Sequence, residues 1–147
     1  MTVNMDRALA FMEELQANHV TYSMTGSRTG ADGTADCSGA VYTALCAGGA
    51  PVADTVLDTE TMHGWLLTSG FVLLAENMRW PAQRGDVFIW GEHGKSAGAG
   101  GHTGIFITDH DIIHCNYSHN GVSVNNYGQY WNTANRPYYY AYRYSGS

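Results

Sequence analysis

The chain is poor in positive charge. Lysine and arginine total 7 against 13 acidic residues, which gives a formal charge of −6 and a pI near 5.5. Nucleic-acid binding needs a cationic footprint to displace counterions, so that class of partner is excluded. The same balance offers no pull toward anionic membranes or anionic wall polymers. Long apolar runs are also lacking, and none approaches the ~20 residues needed to span a bilayer. The stretch MTVNMDRALAFMEELQ mixes acidic residues with apolar ones, as a secretory signal would not. The expectation is synthesis in the cytoplasm, with any role outside it dependent on another exit route. Cysteine is sparse as well. Cys37, Cys46 and Cys115 are odd in number and show no C-x-x-C spacing. That argues against a disulfide framework and for one reactive thiol beside two packed ones.

What is present suffices for one domain. Of 147 residues, 44% are hydrophobic and 12% aromatic, enough for a packed core and far from a disordered composition. Asn4 is placed to cap a first helix running to about Gln16, with Met5, Leu9, Met12 and Leu15 as its apolar stripe. VTYSM alternates as a short extended piece, and TGSRTGADGTAD is a glycine-rich loop of the kind that positions functional groups. A second helix starts at Asp36 or Cys37 and stops at Gly48-Gly49, and a third covers about Thr59 to Thr68. Strands follow at FVLLAE, DVFIW, TGIFIT, IIHCNY, GVSVNN and PYYYAYRY. Helices early and antiparallel strands late predict an α+β domain over residues 1–144. The closing SGS, residues 145–147, reads as the start of a linker or an appended tail.

Residues 100–117, GGHTGIFITDHDIIHCNY, put His102 and His114 into two adjacent strands. A reversal near Thr108 would set the two face to face on one side of a hairpin. The turn-forming residues Asp109 to Asp111 lie slightly further on, which predicts a skewed register or a bulge. One imidazole then serves as base and acid, while the other accepts its N–H and fixes the tautomer. By alternation Cys115 points to the opposite face. The thiol partner is Cys37 in TADCSGAVYTAL. At the first turn of a helix, unpaired amides and the positive dipole end favour thiolate over thiol, and an amide there can face an oxyanion. Ser38 and Gly39 are small and leave room for substrate.

Zinc held by Cys37, His102 and His114 is the rival use, but no tight ligand pair nucleates such a site. The other histidines (His19, His63, His93, His110 and His119) stand at polar positions and read as mostly solvated. RGD at 84–86 runs into VFIW and reads as a turn that launches the strand. GEHGKSAGAGG lacks the phosphate-loop pattern and reads as one wall of a cleft. YYYAYRY reads as a closing, half-buried strand rather than a stacking surface for sugars.

The ordered motifs DCSG, RGDVFIW, GHTGIFI and IIHCNY, with TETMHGWL, SAGAGGHTG and RPYYYAYR, resemble the papain-like NlpC superfamily of cell-wall hydrolases. Within it the chain is most similar to the Pal-like phage-lysin amidase branch, from about Met5 to Arg143. The resemblance implies a papain-like fold with N-terminal helices packed on a C-terminal antiparallel sheet, no cofactor, and bacterial peptidoglycan as partner. Position by position it implies a nucleophile at Cys37, a general base at His102, an orienting residue at His114 and a hydroxyl near the sulfur at Tyr22. Asp36, Ser38 and Gly101 are the expected substrate contacts. The implied reaction is hydrolysis of the amide between N-acetylmuramic acid and L-alanine. A cysteine endopeptidase cutting the stem peptide or cross-bridge is the alternative on the same scaffold, and a non-catalytic wall-binding module is the alternative of a different class. The acidic charge adds the expectation that a separate cell-wall-binding module supplies targeting. The resemblance implies access to the wall through a membrane lesion made by another phage protein.

Overall fold

A computed structural model describes residues 2–97 and 100–146. Asn4 accepts a hydrogen bond from the Arg7 amide (3.0 Å) and opens helix α1, Met5–Ala17. Ala8, Leu9, Met12 and Leu15 are buried along it, and Met5 packs at the rim of the core. Asp36 caps α2, Cys37–Ala47, by accepting from the Gly39 amide (2.8 Å). This helix is apolar around most of its circumference, and such a helix must be buried. Ala40, Val41, Ala44 and Leu45 accordingly expose no surface. Between the helices, β1 (Thr21–Tyr22) and β2 (Thr34–Ala35) pair in parallel and close the glycine-rich loop. Helix α3, Met62–Thr68, begins later than the sequence predicts. Asp58 and Thr61 account for the delay: the Thr61 amide donates to Asp58 Oδ1 (2.7 Å), which holds residues 58–61 in a turn.

All six predicted strands form, as β3 (Phe71–Glu76), β4 (Val87–Trp90), β5 (His102–Phe106), β6 (Asp111–Asn116), β7 (Gly121–Asn126) and β8 (Tyr139–Tyr144). They make one antiparallel sheet in the order β3-β8-β4-β5-β6-β7. Two elements were missed in the sequence: β2, inside the glycine-rich loop, and a short helix α4, Tyr127–Thr133, capped by Asn126 through the Gln129 amide (3.0 Å). The RGD segment is structural, as expected. Asp86 is fully buried at the entry to β4 and takes a bidentate grip from Arg143 on β8, at 2.8 and 2.9 Å. It also accepts from Trp80 Nε1 and from the Gln83 amide. This buried carboxylate thus accepts four hydrogen bonds, three at Oδ2 and one at Oδ1, as burial of a charge requires.

Side chains alternate between two covered faces. Val87, Ile89, Ile105, Ile113 and Cys115 join the core under α1 and α2, whereas Phe88, Trp90, Phe106, Ile112 and Tyr139 form a second core with Trp80, Tyr127, Tyr130 and Trp131. Each fully buried aliphatic side chain stabilises the fold by about 1.5–3 kcal/mol. No helix among the described residues is long and apolar enough to cross a membrane. Of the stretches singled out in the sequence, Gly98 and Ala99 of the cleft loop and Ser147 of the tail lie outside the described residues. Ser145 continues the sheet edge by bonding to the Gly70 carbonyl (2.8 Å).

Candidate active site

The hairpin of β5 and β6 pairs Ile105 with Ile113 and Phe106 with Ile112. The reversal therefore centres on Asp109, and the register is skewed from a Thr108-centred one without a bulge. Continuing it sets Gly104 across from His114, with His102 one pleat further along the same face. The two rings meet on the diagonal, Nε2 of His102 lying 2.8 Å from Nδ1 of His114. Gly104 permits this. A Cβ there would lie 2.8 Å from the His114 Cβ and 2.7 Å from the Phe88 ring, so any side chain would push His114 away.

Aromatic rings hold the pair. Tyr130 of α4 lies edge-on to His114 (4.6 Å between centroids) and at 5.9 Å from His102, and Trp90 stacks on Tyr130 from below. Burial in this setting disfavours charge on either imidazole. It brings His114 down to about 4 and His102 well below the usual histidine value, with repulsion from a charged His114 adding to the latter. Behind the pair, His114 Nε2 lies 2.9 Å from Asn125 Oδ1. Sequence reading missed Asn125, although Ser123 and Asn125 alternate in GVSVNN as two polar side chains on one face of a strand.

Cys37 is buried at the first residue of α2 and opens into a recess of about 210 Å³ with Tyr22, Arg28, Asp36, Ser38 and Thr59. His102 opens into an adjoining recess of about 300 Å³ with Trp90, Gly101, Asn116 and Tyr130. Tyr22 lines both. The amide of Thr103, the residue after His102, points at the Cys37 sulfur together with the amides of Ser38 and Cys37 itself. These three donors favour the thiolate, but burial and the Asp36 carboxylate outweigh them and push the thiol up to about 12. The expectation of a thiolate at rest is corrected on this point. A thiol covered this deeply loses more to desolvation than the helix-end amides return, and Asp36, the residue that caps the helix, contributes charge of the wrong sign. Burial thus favours the uncharged form of both the Cys37 thiol and His102.

The remaining expected site residues also gather here. Burial and the neighbouring Cys37 raise the Tyr22 hydroxyl to about 12, which keeps it a donor. Asp36 and Ser38 face the recess, but their polar atoms are engaged. Arg28 reaches Asp36 (2.7 Å), Ser38 Oγ (3.0 Å) and the Leu57 carbonyl (2.7 Å), clamping the helix mouth to the loop. Arg28 does so from a left-handed backbone (φ 67°), a second residue that sequence reading passed over. Gly101 fits because a Cβ would collide with the Ser96 carbonyl and the Thr59 hydroxyl, which are themselves hydrogen-bonded. Against the opposing pull of burial, bonds from Ser96 and Gly94 hold Glu60 down to about 2 and pin the loop that leads to Gly101.

Elsewhere, Cys115 packs in the helix-side core as expected. His63 does not match its expectation of being solvated. It is buried, with Nδ1 2.6 Å from the Tyr142 hydroxyl and its ring edge-on to His93 and Tyr140. Among the described residues no group of three His, Cys, Asp or Glu is arranged to hold a metal ion.

Residues 4–147 match the family described as bacteriophage peptidoglycan hydrolase. The chain is 48% identical over 143 residues to a protein named Lysin from Pneumococcus phage Dp-1, a match covering 97% of this chain and 47% of that protein. The chain thus spans about half the length of that relative. Two solved structures share the fold. An NlpC/P60 family protein from Bacillus cereus ATCC 10987 superposes with a TM-score of 0.65 at 20% identity, over 98% of this chain and 41% of that one. The NlpC/p60 domain of the peptidoglycan hydrolase SagA gives 0.59 at 17% identity, over 94% of this chain and 97% of that domain.

Proposed function

The chain belongs to the bacteriophage peptidoglycan hydrolase family, and from that premise we propose that it is a cysteine amidase domain cutting the bond between N-acetylmuramic acid and L-alanine. The observation that carries this reading is the hydrogen-bonded His102–His114 pair, whose strand runs on into the Thr103 amide aimed at Cys37. The resemblance to the Pal-like amidase branch supports the choice of bond.

With both groups neutral at rest, the reaction begins with proton transfer. Substrate displaces water from the two recesses, and the Cys37 thiol gives its proton to His102 Nδ1 as the sulfur attacks the carbonyl carbon. His102 becomes an imidazolium whose Nε2–H stays on His114. The helix-start amides and the Tyr22 hydroxyl receive the oxyanion. His102 then protonates the departing alanine nitrogen, leaving a thioester on Cys37. A water deprotonated by His102 hydrolyses that thioester, releasing the lactyl carboxylate and restoring the thiol. Asp36, Ser38 and Gly101 shape the walls against which the chain of the substrate lies.

Mass spectrometry of digested walls tests the reading. The expected products are glycan with free lactyl groups and intact stem peptides starting with a free L-alanine amine. New amino ends inside the stem peptide or cross-bridge would identify the endopeptidase instead. Cys37→Ala is expected to abolish hydrolysis while the circular dichroism spectrum is retained, and wall binding without any hydrolysis by the parent chain would mark a binding module. We assign wall targeting to a separate module. The domain alone is expected to lyse less efficiently than a form fused to one, after synthesis in the host cytoplasm and release to the wall.

A further inference from the structure

The polar residues behind the histidine pair form a chain of hydrogen bonds with one permitted direction. It starts at a donor that cannot be reversed, the main-chain amide of His119, which donates to Asn116 Oδ1 (2.9 Å). That contact orients the Asn116 side chain, so its Nδ2 donates to Ser123 Oγ (2.8 Å). The Ser123 hydroxyl hydrogen must then go elsewhere, and its acceptor is Asn125 Oδ1 at 2.6 Å. The same oxygen lies 2.9 Å from His114 Nε2, which donates to it; the competing donor at that nitrogen, Asn116 Nδ2, is farther away at 3.4 Å and is closer to Ser123 Oγ. A neutral imidazole carries only one ring N–H. His114 Nδ1 is thus a lone pair and accepts from His102 Nε2 at 2.8 Å, leaving His102 Nδ1 bare.

We propose that Asn116, Ser123 and Asn125 are positioning residues that hold His102 in the tautomer with a free Nδ1, the form able to take a proton from Cys37. The alternative arrangement shows what they prevent. Were the Asn125 amide turned over, its Nδ2 would face both Ser123 Oγ and His114 Nε2, and the Ser123 hydrogen would have no acceptor. His114 would then carry its hydrogen on Nδ1 and donate to His102 Nε2. The hydrogen of His102 would move to Nδ1, the atom that must receive the proton. Burial keeps the choice from being averaged away. His114 is fully buried and Asn116 is 2% exposed, so water cannot stand in for a partner of either, while Ser123 and Asn125 are half-buried and their order rests on the short bond between them. The strand register serves the same end: Ser123 sits directly across from His114 in the β6–β7 pairing, and Asn125 follows on the same face.

The relay rests on the Cys37–His102–His114 reading, and the experiment separates the two. ¹⁵N NMR of the ring nitrogens is recorded on the parent domain, Asn125→Leu and Ser123→Ala, alongside kcat and KM on soluble peptidoglycan fragments. The parent should show Nε2–H on both rings. Asn125→Leu should move part of the His102 hydrogen to Nδ1 and lower kcat at least about tenfold with KM unchanged, since a wrong tautomer costs rate and not binding. Ser123→Ala should shift both readouts in the same direction by less. A folded Asn125→Leu with parent-like tautomers and kcat overturns the relay. Should that variant fail to fold, parent-like tautomers in Ser123→Ala overturn it instead. Cys37→Ala and His102→Ala are assayed in parallel. Hydrolysis surviving in either one overturns the triad itself, whatever position 125 does.

Discussion

On its helix-covered face the sheet presents Val87, Ile89, Ile105 and Ile113 to α1 and α2, and on the other it presents Phe88, Trp90, Phe106 and Tyr139 to Trp80 and α4. Both faces are buried, yet they differ in what burial achieves. Aliphatic side chains fill space in any direction, so the first face fixes which elements lie together. Aromatic rings have few rotamers and definite edges, so the second fixes angles. His102 and His114 sit on that second face, in contact with Trp90 and Tyr130, where two imidazoles can be kept neutral, oriented and away from bulk water. The histidine pair thereby stands on the aromatic side of strands whose other side packs under α2, the helix that carries Cys37.

Substitutions that cross this division test it. The largest effect is expected on the aromatic face. His114→Ala should lower kcat about 10⁴-fold, the order seen when the orienting member of a catalytic triad is removed, with thermal stability changing far less in proportion. Leu45→Ala on the helix face should do the reverse, costing about 2–5 kcal/mol of stability while kcat is unchanged wherever the protein remains folded. Equal losses of kcat in both variants would dissolve the distinction.

Acid should act on the buried histidines before it acts on the carboxylates. Burial brings His114 and His63 to about 4 when folded, with the His93 charge adding to the effect on His63 and the His119 charge to that on His114. Unfolded, each titrates near 6.5, so the unfolded chain binds more protons between these values. The stabilisation is complete above about 6.5 and is lost as pH falls toward 4, on the order of 3 kcal/mol for each ring. Thermal melts should therefore be flat from pH 8 to 7 and fall steeply below pH 6. A decline starting only below pH 4, where Glu60 gives up its advantage, would contradict the assignment. The smallest effect is expected at the cap of α4. Asn126→Ala should cost about 1 kcal/mol and loosen Tyr130 against the histidines, which kcat would register before the melting temperature does.

Legibility in the sequence followed the same division. Leu9, Met12 and Leu15 repeat at helical spacing, and FVLLAE through PYYYAYRY are bounded by turn residues, so helix-side packing and every strand of the sheet could be read directly. Cys37 and the two histidines were legible because their chemistry is rare at such positions. Helix α4 was hidden because Asn126, its cap, is also the last residue of a strand, although Tyr127, Tyr130 and Trp131 carry helical spacing. Asn125 and Arg28 escaped for a different reason. Each acts through a partner 8 or 11 residues away across a turn of the chain, and only the fold brings Asp36 or His114 alongside it. The raised thiol of Cys37 likewise depends on how deeply the helix mouth is covered, which no spacing reveals.

The placement of β8 bears on when activity can first arise. Residues 139–144 enter the sheet between β3 and β4, and Arg143 closes on Asp86 there. While the ribosome is still extending the chain, β3 and the β4–β7 block have no hydrogen bonds to each other, and Asp86 has no cation beside it. The His102–His114 pair therefore stands on an unfinished platform until translation has passed Tyr144. A domain built this way leaves its sheet open at the centre through all but the last of the tens of seconds in which residues 1–144 are made.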